Sequence, residues 1–177
     1  MKKIFFLSLA EVIAVHTDQI QRYGGLSGIR DINLLSSAVA MPYASFHGTF
    51  LHADIFEMAA AYAFHICQNH PFIDGNKRTA IASSLVFLEL SGISIPDPPG
   101  KLYEAMILVA SGNLRKANFA NILREVQESK QLKLKKIIKE SFGACKDKNH
   151  PELQEGTEAF VRTLRKSRRL NRLKKHF

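Results

Sequence analysis

Two stretches, residues 54–69 and residues 79–90, have apolar side chains on most faces of a helix, and a helix of that kind must be surrounded by protein. In the first, Ile55, Phe56, Met58, Ala59, Ala60, Ala61, Tyr62, Ala63, Phe64, Ile66 and Cys67 leave no continuous polar stripe. In the second, Ala80, Ile81, Ala82, Leu85, Val86, Phe87, Leu88 and Leu90 do the same until Ser91-Gly92 ends the run. The rest of the chain must then coat this buried pair. Amphipathic helices suited to the task fit residues 8–20, 31–41 and 101–111, and another starts at Ala117 or Asn118 and runs beyond Glu125. Ser8-Leu9-Ala10-Glu11 has capping-box spacing, so Ser8 should begin the first helix, and Gly24-Gly25 accept the left-handed geometry that ends it. Asp31 suits the first turn of the second helix, and Pro42 stops it.

Residues 42–51 mix Tyr43, Phe46, His47, Gly48, Thr49 and Phe50 with no helical period. They read as a small β-hairpin or loop, either a plain connection or a flap that holds a substrate segment by strand addition. Ile93-Ser94-Ile95 fits a short extended piece, and Pro96-Asp97-Pro98-Pro99 a turn. No strand pattern supports a larger sheet, and no repeat or Gly/Ser-rich linker divides residues 1–128. The expected class is all-α, a compact helical bundle.

With 177 residues, 46% of them hydrophobic, the chain can fill a single core. Cys67 and Cys145 have neither metal-ligand spacing nor a disulfide framework, which fits a reducing, cytoplasmic setting; Cys67 reads as core. Met1-Lys2-Lys3 before Ile4-Phe5-Phe6-Leu7 has the outline of a secretory leader, but the apolar run is short. The uncharged run over residues 58–73 is interrupted by His65, Gln68, Asn69 and His70, which argues against a membrane span. The net charge of +9 is unevenly placed: residues 1–128 carry ten basic and eleven acidic side chains, residues 129–177 fifteen and five. Two regions are therefore expected, a functional domain over residues 1–128 and a basic, helical tail over residues 129–177. In the tail, Lys130, Lys133, Lys135, Lys136 and Lys139 interleave with Leu132, Leu134, Ile137 and Ile138. Residues 143–151 look like a break, and residues 152–177 resume with Phe160, Val161, Leu164, Leu170 and Leu173 among arginines and lysines. Such a tail is either a solvated end or a surface for RNA, an acidic protein or a translocation apparatus.

Between the two buried helices lies His70-Pro71-Phe72-Ile73-Asp74-Gly75-Asn76-Lys77-Arg78-Thr79-Ala80. A residue before proline is biased out of the helical region, so the first helix should end near His70 and the next begin near Gly75 or Asn76. Asp74 is a hard oxygen ligand suited to magnesium. Gly75 allows a sharp turn, after which the amides of Gly75, Asn76 and Lys77 can form an anion nest at a positive helix end. Lys77 and Arg78 add fixed charge, the arginine able to grip two phosphate oxygens. His70 is placed to take a proton from an incoming hydroxyl, and Phe72 to anchor the loop in the core. A base, a metal carboxylate and an anion nest suffice for phosphoryl or nucleotidyl transfer. His65 reads as a core or supporting histidine; His16, His47, His52, His150 and His176 have no metal-site spacing.

This stretch resembles the signature of the Fic/Doc family, and Arg22-Tyr23-Gly24-Gly25-Leu26 with Asn76-Lys77-Arg78-Thr79-Ala80 resembles its Doc branch, the death-on-curing toxins of toxin–antitoxin modules. The similarity covers residues 4–128 and not the tail. It implies a helical bundle with a small flap, His70 as general base, Asp74 as magnesium ligand, Gly75, Asn76 and Lys77 as anion cradle and Arg78 as phosphate clamp. Two positions depart from the AMP-transferring Fic pattern, which has glycine at Lys77 and a second arginine at Ile81. A lysine there obstructs close approach of an α-phosphate, and loss of the second arginine removes a clamp for distal phosphates. The resemblance therefore implies ATP bound with its γ-phosphate nearest His70, and a kinase of a threonine in elongation factor Tu that halts translation. AMP transfer to a protein hydroxyl is the alternative, favoured by Pro71 and Gly75. A reading of another class is a catalytically lapsed RNA- or ribosome-binding module acting through the tail. Glu155-Gly156 matches half of the family's self-inhibiting helix, but Pro151 stands where a hydroxyl residue is needed. A separate antitoxin docking over the cleft is the expected restraint.

Overall fold

The computed structural model describes residues 4–95 and 100–144. The leader at Met1-Lys2-Lys3, the turn at Pro96-Asp97-Pro98-Pro99, Cys145, His150, His176 and the helix expected over residues 152–177 lie outside the described residues. Among those described, the order is α1 (Leu9–Tyr23), α2 (Ile32–Ala40) with a 3-10 turn (Met41–Tyr43), β1 (Ser45–Phe46), β2 (Thr49–Phe50), α3 (Ile55–Asn69), α4 (Asn76–Leu90), α5 (Lys101–Ala110) and α6 (Lys116–Ala144).

The two apolar helices expected to be buried are α3 and α4, and they pack on each other at the centre. Met58, Ala59, Ala60, Ala61, Tyr62, Ala63, Ile66 and Cys67 of α3 are buried, as are Thr79, Ala80, Ser83, Ser84, Phe87 and Leu88 of α4. Around them, α1 contributes Val12, α2 Leu35 and Val39, α5 Leu102, Met106 and Val109, and α6 Phe119, Leu123 and Val126. Full burial of one large side chain contributes about 1.5–3 kcal/mol, and such side chains come both from the central pair (Tyr62, Ile66, Phe87, Leu88) and from the segments around it, among them Leu35, Phe72, Met106 and Phe119. The Tyr62 hydroxyl accepts the Leu7 N–H at 2.8 Å and donates to the Leu7 carbonyl at 3.4 Å, pinning the segment ahead of α1 to the core. Burial pushes that hydroxyl up to about 12.

The helix starts follow their caps. Ser8 and Glu11 form the expected capping box, with the Ser8 N–H donating to Glu11 at 2.7 Å and the Glu11 N–H to the Ser8 hydroxyl at 3.3 Å. Asp31 stands just before α2 as its cap, accepting the N–H groups of Asn33 at 2.8 Å and Leu34 at 3.0 Å, rather than inside the first turn. Asp54 caps α3 in the same way and receives Arg124 of α6 at 2.7 Å. Burial raises the Asp54 carboxyl, but the Glu57 amide, Arg124 and the Phe56 amide outweigh it and hold it below the usual range. A depressed carboxylate stabilises the fold above its unfolded value and stops doing so as pH falls through the folded one. Asp54→Ala is thus expected to cost about 1–2 kcal/mol at pH 7 in urea unfolding, and the deficit against the native chain should shrink below pH 4. A constant deficit across that range would refute the assignment.

Residues 45–50 form a hairpin, Ser45 opposite Phe50 and Phe46 opposite Thr49. His47 and Gly48 both have positive φ, 48° and 78°, the requirement of the tight turn that matches strand twist. Residues 93–95 are irregular and make no strand. The chain divides into two units after Lys130; the first carries the site described below. No helix of the described residues is long and apolar enough to cross a membrane.

Candidate active site

Helix α3 ends at Asn69, and His70 follows as its cap with φ 46° and ψ 53°. That left-handed conformation costs a non-glycine residue about 1–3 kcal/mol and persists only where its surroundings enforce it. Here they do. The Pro71 carbonyl accepts the N–H groups of Arg30 at 2.7 Å and Asp31 at 3.1 Å. The Arg30 guanidinium donates to the Asn69 carbonyl at 2.9 Å, and the Asn69 amide to the Leu34 carbonyl at 3.0 Å. Pro71 and Phe72 are buried and His70 is exposed, so the loop is gripped from the core while the imidazole faces outward.

Gly75, with φ 76°, precedes α4, and no side chain caps that helix. The first amides of a helix lack partners within it, so the start of α4 offers donors together with a partial positive charge. The Gly75 N–H is engaged by Asp74 Oδ1 at 2.6 Å, which leaves the cradle to the amides that follow. The Asn76 side chain turns inward instead: its Nδ2 donates to the Phe72 carbonyl and its Oδ1 accepts the Phe72 N–H, both at 2.9 Å. Hydrogen bonds from the Gly75 amide first, and then the Leu26 amide, hold the exposed Asp74 carboxyl below its usual range, with the charges of Arg78 and His16 adding less.

Residues 24–31 run alongside this stretch like a zip. Ile73 N–H donates to the Gly28 carbonyl at 3.0 Å, and Ile29 bridges Phe72. The Leu26 N–H reaches Asp74 Oδ2 at 3.4 Å. Arg78 donates to the Gly24 carbonyl at 2.9 Å and stands 4.0 Å from Asp74 Oδ2. Gly25 fits between them with φ 121°; a Cβ there would meet Asp74 Oδ2 at 2.4 Å and Arg78 Nη2 at 3.1 Å.

His70, Asp74, Gly75, Asn76, Lys77 and Arg78 line one cleft of about 480 Å³ together with Ile73 and Tyr103. A second hollow of about 380 Å³ shares Arg78 and Tyr103 and is otherwise lined by Gln19, Tyr23, Ile81, Ala82 and Leu85. Sequence reasoning passed over His16 and the zip. His16 is 2% exposed; its Nε2 lies 3.0 Å from the Asp74 carbonyl, and its ring stacks on Phe72 at 3.9 Å and 3°. Its one signal in the sequence is the helical stripe Val12–His16–Ile20. His65 is half-buried on α3 away from the cleft lining, and burial, with Lys116 and His52 adding, pushes it down to about 4.

The donor set suits a magnesium–phosphate ligand. Asp74 is exposed, its carboxyl held below the usual range, with lone pairs to spare after two amide bonds. A cation here would rest on one carboxylate, with water and substrate oxygens completing its shell, which is magnesium's habit.

In this helical bundle the two central helices meet at an exposed histidine and a helix start that has no side-chain cap and carries Lys77 and Arg78. The Fic/DOC family model matches residues 6–88. "Protein kinase doc" of Escherichia phage P1 is 33% identical over 123 residues, spanning 70% of this chain and 96% of that protein. "Toxin Doc" of Mycolicibacterium smegmatis is 38% identical over 73 residues, 41% of this chain and 56% of the toxin. The chain belongs to the Fic/Doc family, in its Doc branch.

Proposed function

We propose that the protein transfers the γ-phosphate of ATP to a protein hydroxyl, a threonine of elongation factor Tu, and so arrests translation in the cytoplasm until an antitoxin covers the cleft. The distribution of charge carries this reading. Lys77 and the amides at the start of α4 line the cleft with His70, while the adjoining hollow shares only Arg78 as a basic side chain and has Ile81 where a second arginine would serve distal phosphates. A nucleotide matches that gradient with its terminal phosphate beside His70 and its base against Tyr23, Ile81, Leu85 and Tyr103. The phage relative, named as a protein kinase, supports the same direction.

His70 then takes the proton of the incoming hydroxyl, whose oxygen forms a bond to the γ-phosphorus as the bond to ADP breaks. Lys77, Arg78 and the α4 amides hold the phosphoryl oxygens, and Asp74 is the residue that would hold magnesium. When bound, the ion neutralises phosphate charge. The reading predicts label on the protein from ATP labelled at the γ-phosphate and none from ATP labelled at the α-phosphate, in a mixture of this protein, magnesium and translation factors. Retained α-label establishes AMP transfer and overturns the kinase assignment.

A further inference from the structure

We infer that His16 is a positioning residue, locking the Asp74–Gly75 peptide in the orientation that aims the Asp74 carboxylate and keeps the anion site open. In a trans peptide the carbonyl and the N–H point in opposite directions. The Asp74 carbonyl is held at 3.0 Å from His16 Nε2 on the core side, so the Gly75 N–H must face the other way, where it meets Asp74 Oδ1 at 2.6 Å. One imidazole thereby fixes a carbonyl, through it an amide, and through that amide the carboxylate.

Such a lock is needed because the peptide ends in glycine. Gly75 sits at φ 76° and tolerates either sign of φ, so rotation of this peptide meets little resistance from its own backbone. A rotated peptide would turn a carbonyl oxygen towards the phosphate position and withdraw the amide from Asp74. The imidazole is aimed by its own packing: it is 2% exposed and stacks on Phe72 at 3.9 Å and 3°. Gly75 lies close beneath it, with an added Cβ 3.6 Å from His16 Nε2 and 3.0 Å from Ile20 Cδ1. Hydrogen bonding at Nε2 requires the proton on that nitrogen, so the carbonyl selects the tautomer as well as the ring plane.

The inference rests on the phosphate-site reading, and two substitutions separate its parts. His16→Phe keeps a ring on Phe72 but has no donor; His16→Gln supplies an amide donor without the ring. ATP binding with magnesium is measured by calorimetry, and the Gly75 amide resonance is followed by NMR in the full chain without ligand. The expected result is about tenfold weaker ATP binding and a displaced Gly75 resonance in His16→Phe, with both within threefold or close to native in His16→Gln. Native binding and an unmoved resonance in His16→Phe overturn the lock. So does equal impairment of the two variants, which would credit the ring stack. If the native chain binds no ATP, the phosphate reading fails while the Gly75 resonance still decides the lock.

Discussion

His70→Ala is expected to lower γ-phosphate transfer by about 10²–10⁴-fold, the usual contribution of a positioned general base, while the thermal midpoint changes little. Exposure of His70 makes the two effects separable: its imidazole lines the cleft, and the polar contacts that hold its backbone are made by Asn69, Pro71 and Arg30. Transfer rates with γ-labelled ATP and a melting curve on the same preparation test this. Unchanged transfer would remove His70 from the chemistry. Growth arrest that survives the substitution would favour a module that acts through its basic tail without catalysis.

The second large effect is expected at Gly25. Gly25→Val places a side chain where Asp74 Oδ2 lies, in a backbone conformation at φ 121° that L-residues rarely adopt. The carboxylate end can swing aside at small steric cost, but it leaves its amide partners and its place beside Arg78, so transfer should fall at least tenfold and need more magnesium. Backbone strain adds a stability loss of about 1–3 kcal/mol. Gly24→Ala is the matched control: φ is 75° there, yet nothing lies within 4 Å of an added Cβ. It should lose some stability and keep its transfer rate and magnesium requirement. Equal losses of transfer in both variants would reduce Gly25 to a turn residue.

The two central helices were legible because apolar side chains on most faces leave a helix nowhere but the interior. Their ends were legible too, since proline and glycine act through local backbone sterics. The capping box at Ser8 and Glu11 is local in the same way. Whether residues 42–51 form a hairpin was not, because the turn places His47 at positive φ beside Gly48, and histidine gives a weaker turn signal than asparagine would. His16 was missed for a different reason. Its partner is a backbone carbonyl 58 residues away, and backbone atoms leave no signature in side-chain chemistry. The Gly24-Gly25 pair reads as a helix stop and is one; that the Gly24 carbonyl holds Arg78 depends on tertiary packing.

The zip between residues 24–31 and the His70–Arg78 stretch also bears on how the protein comes to be active. A helix can form on local contacts within microseconds, but backbone bonds between segments some forty residues apart must await closure of the intervening chain. The bonds that hold Pro71, anchor Arg78 and engage the Asp74 carboxylate from Leu26 are made between segments and not within α3 or α4. Assembly of the site is then a property of tertiary contacts and not of helix content alone, and a chain lacking them would carry the whole signature sequence without an assembled site.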